Sequence, residues 1–204
     1  MADDNPLVLL ALLAGSLYVG KLWLDDLRAA RGGTPAPNPL PGATPASRTA
    51  VLAAVAGALV LLGIEVAGEY ALGIVAAQSK VTVLFGAYTL AAAFLEELIF
   101  RGFVVVTQRG RAALVAGCAG ASLVFAALHP FLWEWKDGAL LWDPNAKAWF
   151  STAMIFAGSL WFYAVRFWKL NPTRSLLPCI AAHAAKNLGV FAVKAAQGFV
   201  VGGW

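Results

Sequence analysis

Residues 87–106 read AYTLAAAFLEELIFRGFVVV. The run is long and apolar enough to cross a bilayer, which takes about 20 such residues per helix. It nevertheless holds Glu96, Glu97 and Arg101. An ionised side chain at a helix centre in lipid costs roughly 2.5–3.5 kcal/mol on insertion scales, so three of them need partners or a task. The only two histidines of the chain, His129 and His183, fall in two other apolar runs, SLVFAALHP (122–130) and LLPCIAAHAAKNLGV (176–190). These polar side chains meet only if the three segments pack together, which is the outline of a site.

Composition agrees with a membrane setting. Of 204 residues 60% are hydrophobic and only 13% charged, against about a quarter charged in soluble domains, and the mean hydropathy is +0.73. Six apolar stretches lie near 6–24, 49–77, 81–104, 112–132, 149–168 and 176–200. They predict an all-α fold: a polytopic integral membrane bundle of about six transmembrane helices. It would be a single membrane domain over 1–204, with the motif-bearing core at 81–200, on the last four helices. Twenty glycines and abundant alanine suit close helix packing in lipid. No basic patch with interleaved aromatics suggests nucleic acid. The start, MADDN, lacks the basic n-region of a signal peptide, so the first run reads as a retained span. Cys118 and Cys179 both fall inside predicted spans, where a disulfide is not expected.

Lys and Arg distribution sets orientation. The segments around 21–48, 105–111 and 166–175 carry nine basic residues, whereas the alternate connections carry Lys80, Lys136 and Lys147. This bias predicts the three basic loops in the cytoplasm and both termini outside. The segment GGTPAPNPLPGATPAS (32–47) breaks any helix. It is expected within a cytoplasmic loop, 25–48, that is either a linker or a shield over one mouth of the site. The stretch FLWEWKDGALLWDPNAKAW (131–149), with four tryptophans among charges, reads as a connection in the headgroup layer.

On a helix, Glu97 and Arg101 share a face and can pair. Glu96 points about 100° away, free to act as a proton acceptor. If His129 approaches Glu96, the two can hold and deprotonate one water. His183 and Asn187, four apart, are donors fit to stabilise an oxyanion. Base, water and oxyanion donors together make a hydrolase of amides or esters.

The ordered trio Glu96-Glu97-x-x-x-Arg101, Phe125-x-x-x-His129 and His183-x-x-x-Asn187 resembles the three motifs of the CPBP family of glutamic intramembrane proteases. This is the type II CAAX prenyl endopeptidase and bacteriocin-processing group. The likeness spans roughly 90–190. It implies peptide-bond hydrolysis inside an all-α membrane core, with no cofactor and no metal. Glu96 and His129 would activate the water, His183 and Asn187 would form the oxyanion hole, and Glu97 and Arg101 would support the site. The partners implied are the lipid bilayer and a peptide or protein substrate entering from the membrane or its surface. Prenylated C-terminal peptides, leader peptides and membrane anchors all fit the resemblance. The alanine-rich chain suggests a bacterial inner membrane.

Two other readings compete. Glu96, His129 and His183 are ligand types for zinc, although no HExxH pattern accompanies them. Intramembrane acids and histidines also occur in non-enzymatic membrane proteins, such as a proton-coupled transporter or a partner protein, although no inverted repeat is visible. Among the remaining polar residues, Phe125 is expected to pack and to orient His129 one turn away. Glu69 is expected to snorkel or pair with Lys80, and Glu65 to line the site or pair with another helix. Cys179, four residues before His183, reads as inert packing. One geometric tension stands out. From the turn near 109, Glu96 lies 13 residues back and His129 20 residues on. For upright helices their depths differ by roughly 10 Å, so tilt, a broken helix or an extension past the bilayer must close the gap.

Overall fold

The computed structural model describes residues 5–203; the acidic start at 1–4 and Trp204 lie outside the described residues. Six helices follow one another: α1 (Pro6–Arg31), α2 (Arg48–Ala71), α3 (Val83–Glu97), α4 (Gly110–Leu128), α5 (Ala146–Phe167) and α6 (Leu177–Ala196). α3 runs on into a π-helical turn, Leu98–Phe103. The helix starts are chemically marked. Asn5, Ser47, Thr82 and Asn145 are N-caps whose side chains accept from the backbone N–H two or three residues on, satisfying donors that a helix end leaves unpaired.

Five helices are long and apolar enough to cross a membrane: Pro6–Arg31, Arg48–Ala71, Val83–Phe103, Gly110–Leu128 and Ala146–Phe167. α6 does not qualify on that measure because it carries His183, Lys186, Asn187 and Lys194. It is instead the interior helix, packed against α2, α3 and α5, and His183 and Lys186 are buried. α1 lies on the outer side of α3, and α4 leans on α5. The protein is thus an all-α, multi-pass integral membrane bundle. Close approach is bought with glycine. A Cβ at Gly189 would fall 2.4 Å from Leu62 Cδ2, and one at Gly86 2.4 Å from Phe191 Cε2, so close approaches of α6 to α2 and α3 fall where a side chain is missing.

Several boundaries differ from the sequence expectation. α1 continues to Arg31 instead of stopping near 24, because Asp25 pairs with Lys21 (2.6 Å) and Arg28 (3.0 Å) along its exposed face. α2 stops at Ala71, where Gly73 turns with φ +67°. The tryptophan-rich connection contains a β-hairpin, β1 (Trp133–Lys136) with β2 (Ala139–Trp142). Its turn, Asp137–Gly138, has positive φ at both residues (52° and 78°), the backbone that Asp-Gly favours in two-residue hairpin loops. One end of the bundle, joined by 32–47, 104–109 and 168–176, is the basic pole; the other is the hairpin pole.

The segment 32–47 is not a loose linker. Trp23 Nε1 donates to the carbonyl of Pro41 (3.0 Å), the Leu40 amide to Asp26 Oδ2 (2.7 Å), the Leu176 amide to the carbonyl of Gly42 (2.9 Å), and Thr173 Oγ1 to that of Pro45 (2.7 Å). Ala43 is buried in a cluster with Trp23, Leu27, Leu98 and Leu176. It forms a strap across the basic pole.

The candidate active site

The expected depth mismatch closes between α3 and α4. Residues 104–109 are non-helical. Six residues that rise about 3.3 Å instead of 1.5 Å push the start of α4 about 11 Å further out. Val106 accordingly packs beside Gly117, well inside α4. The Arg101 guanidinium then lies over the Phe125 ring at 4.7 Å. Glu97, one turn back from Arg101, and His129, one turn on from Phe125, therefore reach similar depths on antiparallel helices.

Glu97 and Arg101 are fully buried and paired at 3.1 Å. Arg101 Nη2 also donates to Ser159 Oγ (2.6 Å) and to the carbonyl of Ser159 (3.1 Å), and Ser159 Oγ donates on to Ser122 Oγ (2.9 Å). Besides Phe125, the rings of Phe162 (5.3 Å) and Tyr163 (4.8 Å) surround the cation. Hydrogen bonds plus ring faces replace the water that a guanidinium would otherwise hold. Arg166 Nε donates to the Arg101 carbonyl (3.1 Å), and Tyr163 Oη reaches the carbonyls of Phe100 (2.7 Å) and Val104 (3.2 Å). The Phe100 and Arg101 carbonyls belong to the π-turn and Val104 caps it, where helical pairing is irregular and outside donors are needed.

His183 stacks on Phe162 at 4.7 Å. Its Nδ1 lies 2.8 Å from Glu97 Oε1, so Nδ1 carries the proton and donates. Its Nε2 is 3.7 Å from Glu96 Oε2, beyond direct hydrogen-bond range. Glu96 is the more open acid, its side chain 32% exposed. His129 caps the end of α4. Its Nδ1 is 2.8 Å from the carbonyl of Phe125, which only accepts; the proton is therefore on Nδ1, and Nε2 keeps its lone pair. The His129 ring lies 4.7 Å from Phe125 and is parallel to Phe131 at 6.4 Å. Asn187 Nδ2 donates to the carbonyl of Thr89 on α3 (3.0 Å), leaving its second N–H unspent.

The three motif segments thus converge, with Glu97, Arg101, Phe125 and His183 in one contact network. Among the described residues no hydrogen bond joins Glu96 directly to His129. No three His, Cys, Asp or Glu side chains among them converge as metal ligands, so the zinc arrangement of Glu96, His129 and His183 is not assembled. Cys179 is fully buried and its thiol faces the carbonyl of Phe162 (3.4 Å), not His183. Glu69 is buried, bonded to Gln78 and 3.6 Å from Lys147, so neither snorkelling nor pairing with Lys80 describes it. Glu65 pairs with Lys186 across α2 and α6 at 2.7 Å. Ser122, Ser159, Phe162, Tyr163, Arg166 and Lys186 were missed by sequence reasoning. Only Lys186 carried a signal, as an uncompensated charge inside the run AAHAAKN.

Fold and site together define a polytopic membrane protein with an acid–imidazole cluster buried inside its bundle. Residues 78–189 match the model of the type II CAAX prenyl endopeptidase Rce1-like family, and the chain belongs to that family. It is a membrane-embedded CAAX protease, a hydrolase whose substrate is a peptide or protein. Neither a curated protein nor a solved structure matches the chain.

Proposed function

We propose that this protease cleaves its peptide bond with a water activated by Glu96 and His129, without a cofactor. The observation that carries the reading is the contrast between the adjacent acids. Glu97 is sealed and shared between Arg101 and His183, whereas Glu96 is partly open and, among the described residues, approached only by His183 at 3.7 Å. An acid kept open beside buried partners is the group able to meet a water and a substrate.

In this mechanism the Glu96 carboxylate takes a proton from the water, which His129 Nε2 orients through its lone pair. The hydroxide attacks the scissile carbonyl carbon, and the carbonyl π pair moves to oxygen. The spare Asn187 N–H and His183 Nε2–H receive that charge. His183 donates at Nε2 when its ring carries both protons, the one on Nδ1 being held by Glu97. Collapse of the tetrahedral intermediate breaks the C–N bond, and Glu96 returns its proton to the departing amine. Arg101 holds Glu97, and Phe125 fixes both Arg101 and His129. The substrate class named by the family, a prenylated C-terminal peptide, is one candidate; leader peptides and membrane anchors are others. The excess of basic residues favours the basic pole in the cytoplasm and both termini outside, and the alanine-rich composition favours a bacterial inner membrane.

The test compares membranes holding the wild-type chain with membranes holding Glu96→Gln or His129→Ala, by mass-spectrometric mapping of new peptide termini. Cleavage should fall by at least about 100-fold, the usual weight of a general base, with melting temperatures nearly unchanged. Retained cleavage in either purified variant rules the mechanism out.

A further inference from the structure

We propose that Tyr163 is a positioning residue of this protease. Its hydroxyl holds the turn Leu98–Phe103 in π-helical form, which aims Arg101 at Glu97 and, through Glu97, fixes His183. The inference rests on the role given to His183 above.

The backbone bonds of the turn single out Tyr163. In an α-helix the Phe100 carbonyl would accept from the Val104 N–H, and the Arg101 carbonyl from the Val105 N–H, each four residues on. Neither bond is made. The Val104 N–H donates instead to Ile99 (2.8 Å), an i→i+5 link, and the Val105 N–H to Phe103 (3.0 Å). Two carbonyls inside the bundle thus lose their helical donors. Left bare, each would cost free energy comparable to a lost hydrogen bond.

One helix serves both. The Tyr163 hydroxyl donates to the Phe100 carbonyl (2.7 Å) and lies 3.2 Å from that of Val104, while Arg166 Nε donates to that of Arg101 (3.1 Å). Ser159 takes the Arg101 side chain at its hydroxyl and its carbonyl. Residues 159, 163 and 166 are spaced by four and three, so they form one stripe of α5. Tyr163 is buried, and a phenylalanine would fill the same space. What the hydroxyl adds is the bond to a displaced carbonyl.

That bond decides between two turns. Without it, the Val104 N–H gains by returning to Phe100, which closes an ordinary α-turn. An i→i+5 link encloses one residue more than an i→i+4 link, so the change rewinds the helix at Arg101. Pairing with Glu97 is available on any helix, since the two are four apart. The fork is not: Arg101 reaches Glu97 with Nη1 (3.1 Å) and Ser159 with Nη2 (2.6 Å), and rewinding turns it off one of them. Glu97 Oε1, which accepts from Arg101, also accepts from His183 Nδ1 (2.8 Å). A misdirected Arg101 therefore shifts the carboxylate that anchors the imidazole. With it moves Nε2, the atom that faces Glu96 at 3.7 Å. Among the described residues no hydrogen bond joins Tyr163 to Glu96, His129, His183 or Asn187, so it acts on the chemistry only through Arg101.

Tyr163→Phe removes the hydroxyl and keeps the ring that lies 4.8 Å from the guanidinium. With purified protein, a quenched fluorescent peptide built around a cleavage point from the terminus mapping reports kcat and KM. kcat should fall about 10-fold, the net weight of one hydrogen bond, with KM within about twofold of wild type. A kcat within about twofold of wild type, or a loss lying wholly in KM, overturns the proposal. Ser159→Ala should also lower kcat, and the double variant should lose less than the product of the two single effects, because both act through Arg101. Effects that multiply overturn it. Hydrogen–deuterium exchange needs no substrate. Amides of 98–106 should exchange at least about 5-fold faster in Tyr163→Phe as the two turns compete, with 83–95 unchanged; wild-type exchange at 98–106 overturns the proposal. Glu96→Gln run alongside separates the two readings. If it cleaves as wild type does, the water mechanism falls; if it is silent while Tyr163→Phe is fully active, only the role of Tyr163 falls.

Discussion

Replacing Arg101 by methionine removes a buried cation and leaves the Glu97 carboxylate, fully buried in the bundle, with His183 alone as partner. Two magnitudes compete. An average interhelical hydrogen bond in a membrane protein is worth only about 0.6 kcal/mol, whereas stripping one partner from a buried ion pair costs about 3–5 kcal/mol. The second applies here, because Arg101 has no solvent to fall back on and joins Glu97 on α3 to Ser159 on α5. For a chain of this size about 2–4 °C of melting temperature is lost per kcal/mol, so a cost of about 3–5 kcal/mol should lower the melting point of Arg101→Met by about 6–20 °C. The double variant Glu97→Gln/Arg101→Met removes both charges and keeps an oxygen for His183 Nδ1. It should recover about 2 kcal/mol of that loss, as expected for directly coupled residues. Tryptophan-fluorescence melts in one detergent at a fixed scan rate measure both, since such transitions are often irreversible. A single variant costing under about 1 kcal/mol, or a double as unstable as the sum of its singles, refutes the role given to this pair.

Phe125→Ala should cost about 3–5 kcal/mol and depress cleavage, since the ring floors both Arg101 and His129; Phe125→Leu should lose less stability, and melting with terminus mapping separates the two effects. Lys186→Met should destabilise by about 2–4 kcal/mol by leaving Glu65 alone in the bundle, with Glu65→Gln/Lys186→Met milder than either single; a melting cycle decides. Gly42→Ala combines a left-handed backbone (φ +63°) with overlap on Leu176. It should cost about 2–4 kcal/mol, and limited proteolysis should then cut within 32–47.

The helices and the three motif segments were legible because hydropathy and the cost of buried charge act on residue identity alone. Glu96, Glu97, Arg101, His129 and His183 stand out wherever they occur in an apolar run. Ser122 and Ser159 do not, since serine is unremarkable in a helix and becomes informative only when Arg101 is seen to need donors' partners on α4 and α5. The hairpin is hidden although WEWKDGALLW holds Asp-Gly between two apolar tracts, because tryptophans among charges carry the same pattern as interfacial anchors. Glycine and proline in 32–47 excluded helix, but whether such a segment dangles or docks depends on Trp23, Asp26 and Leu176, each remote from it in sequence. The partners of Glu65 and Glu69 hinge in the same way on which faces of α2, α5 and α6 meet.

The six non-helical residues after Phe103 tie the fold to the chemistry. A tight α3–α4 turn would set His129 about 10 Å above Glu96, out of reach of the water that the proposed mechanism shares between them. The extended stretch lowers α4 by that amount, and the π-turn before it exposes carbonyls that Tyr163 and Val104 take up. A shifted α4 also ends mid-bundle at His129, so the chain must climb the rest of the way through Pro130, Phe131 and the hairpin. Along that climb a shallow concavity of about 250 Å³ lies between Ala77, Pro130, Phe131 and Asn145 at the hairpin pole. The register that sets Phe125 over Arg101 therefore also fixes where α4 ends and where the hairpin connection begins.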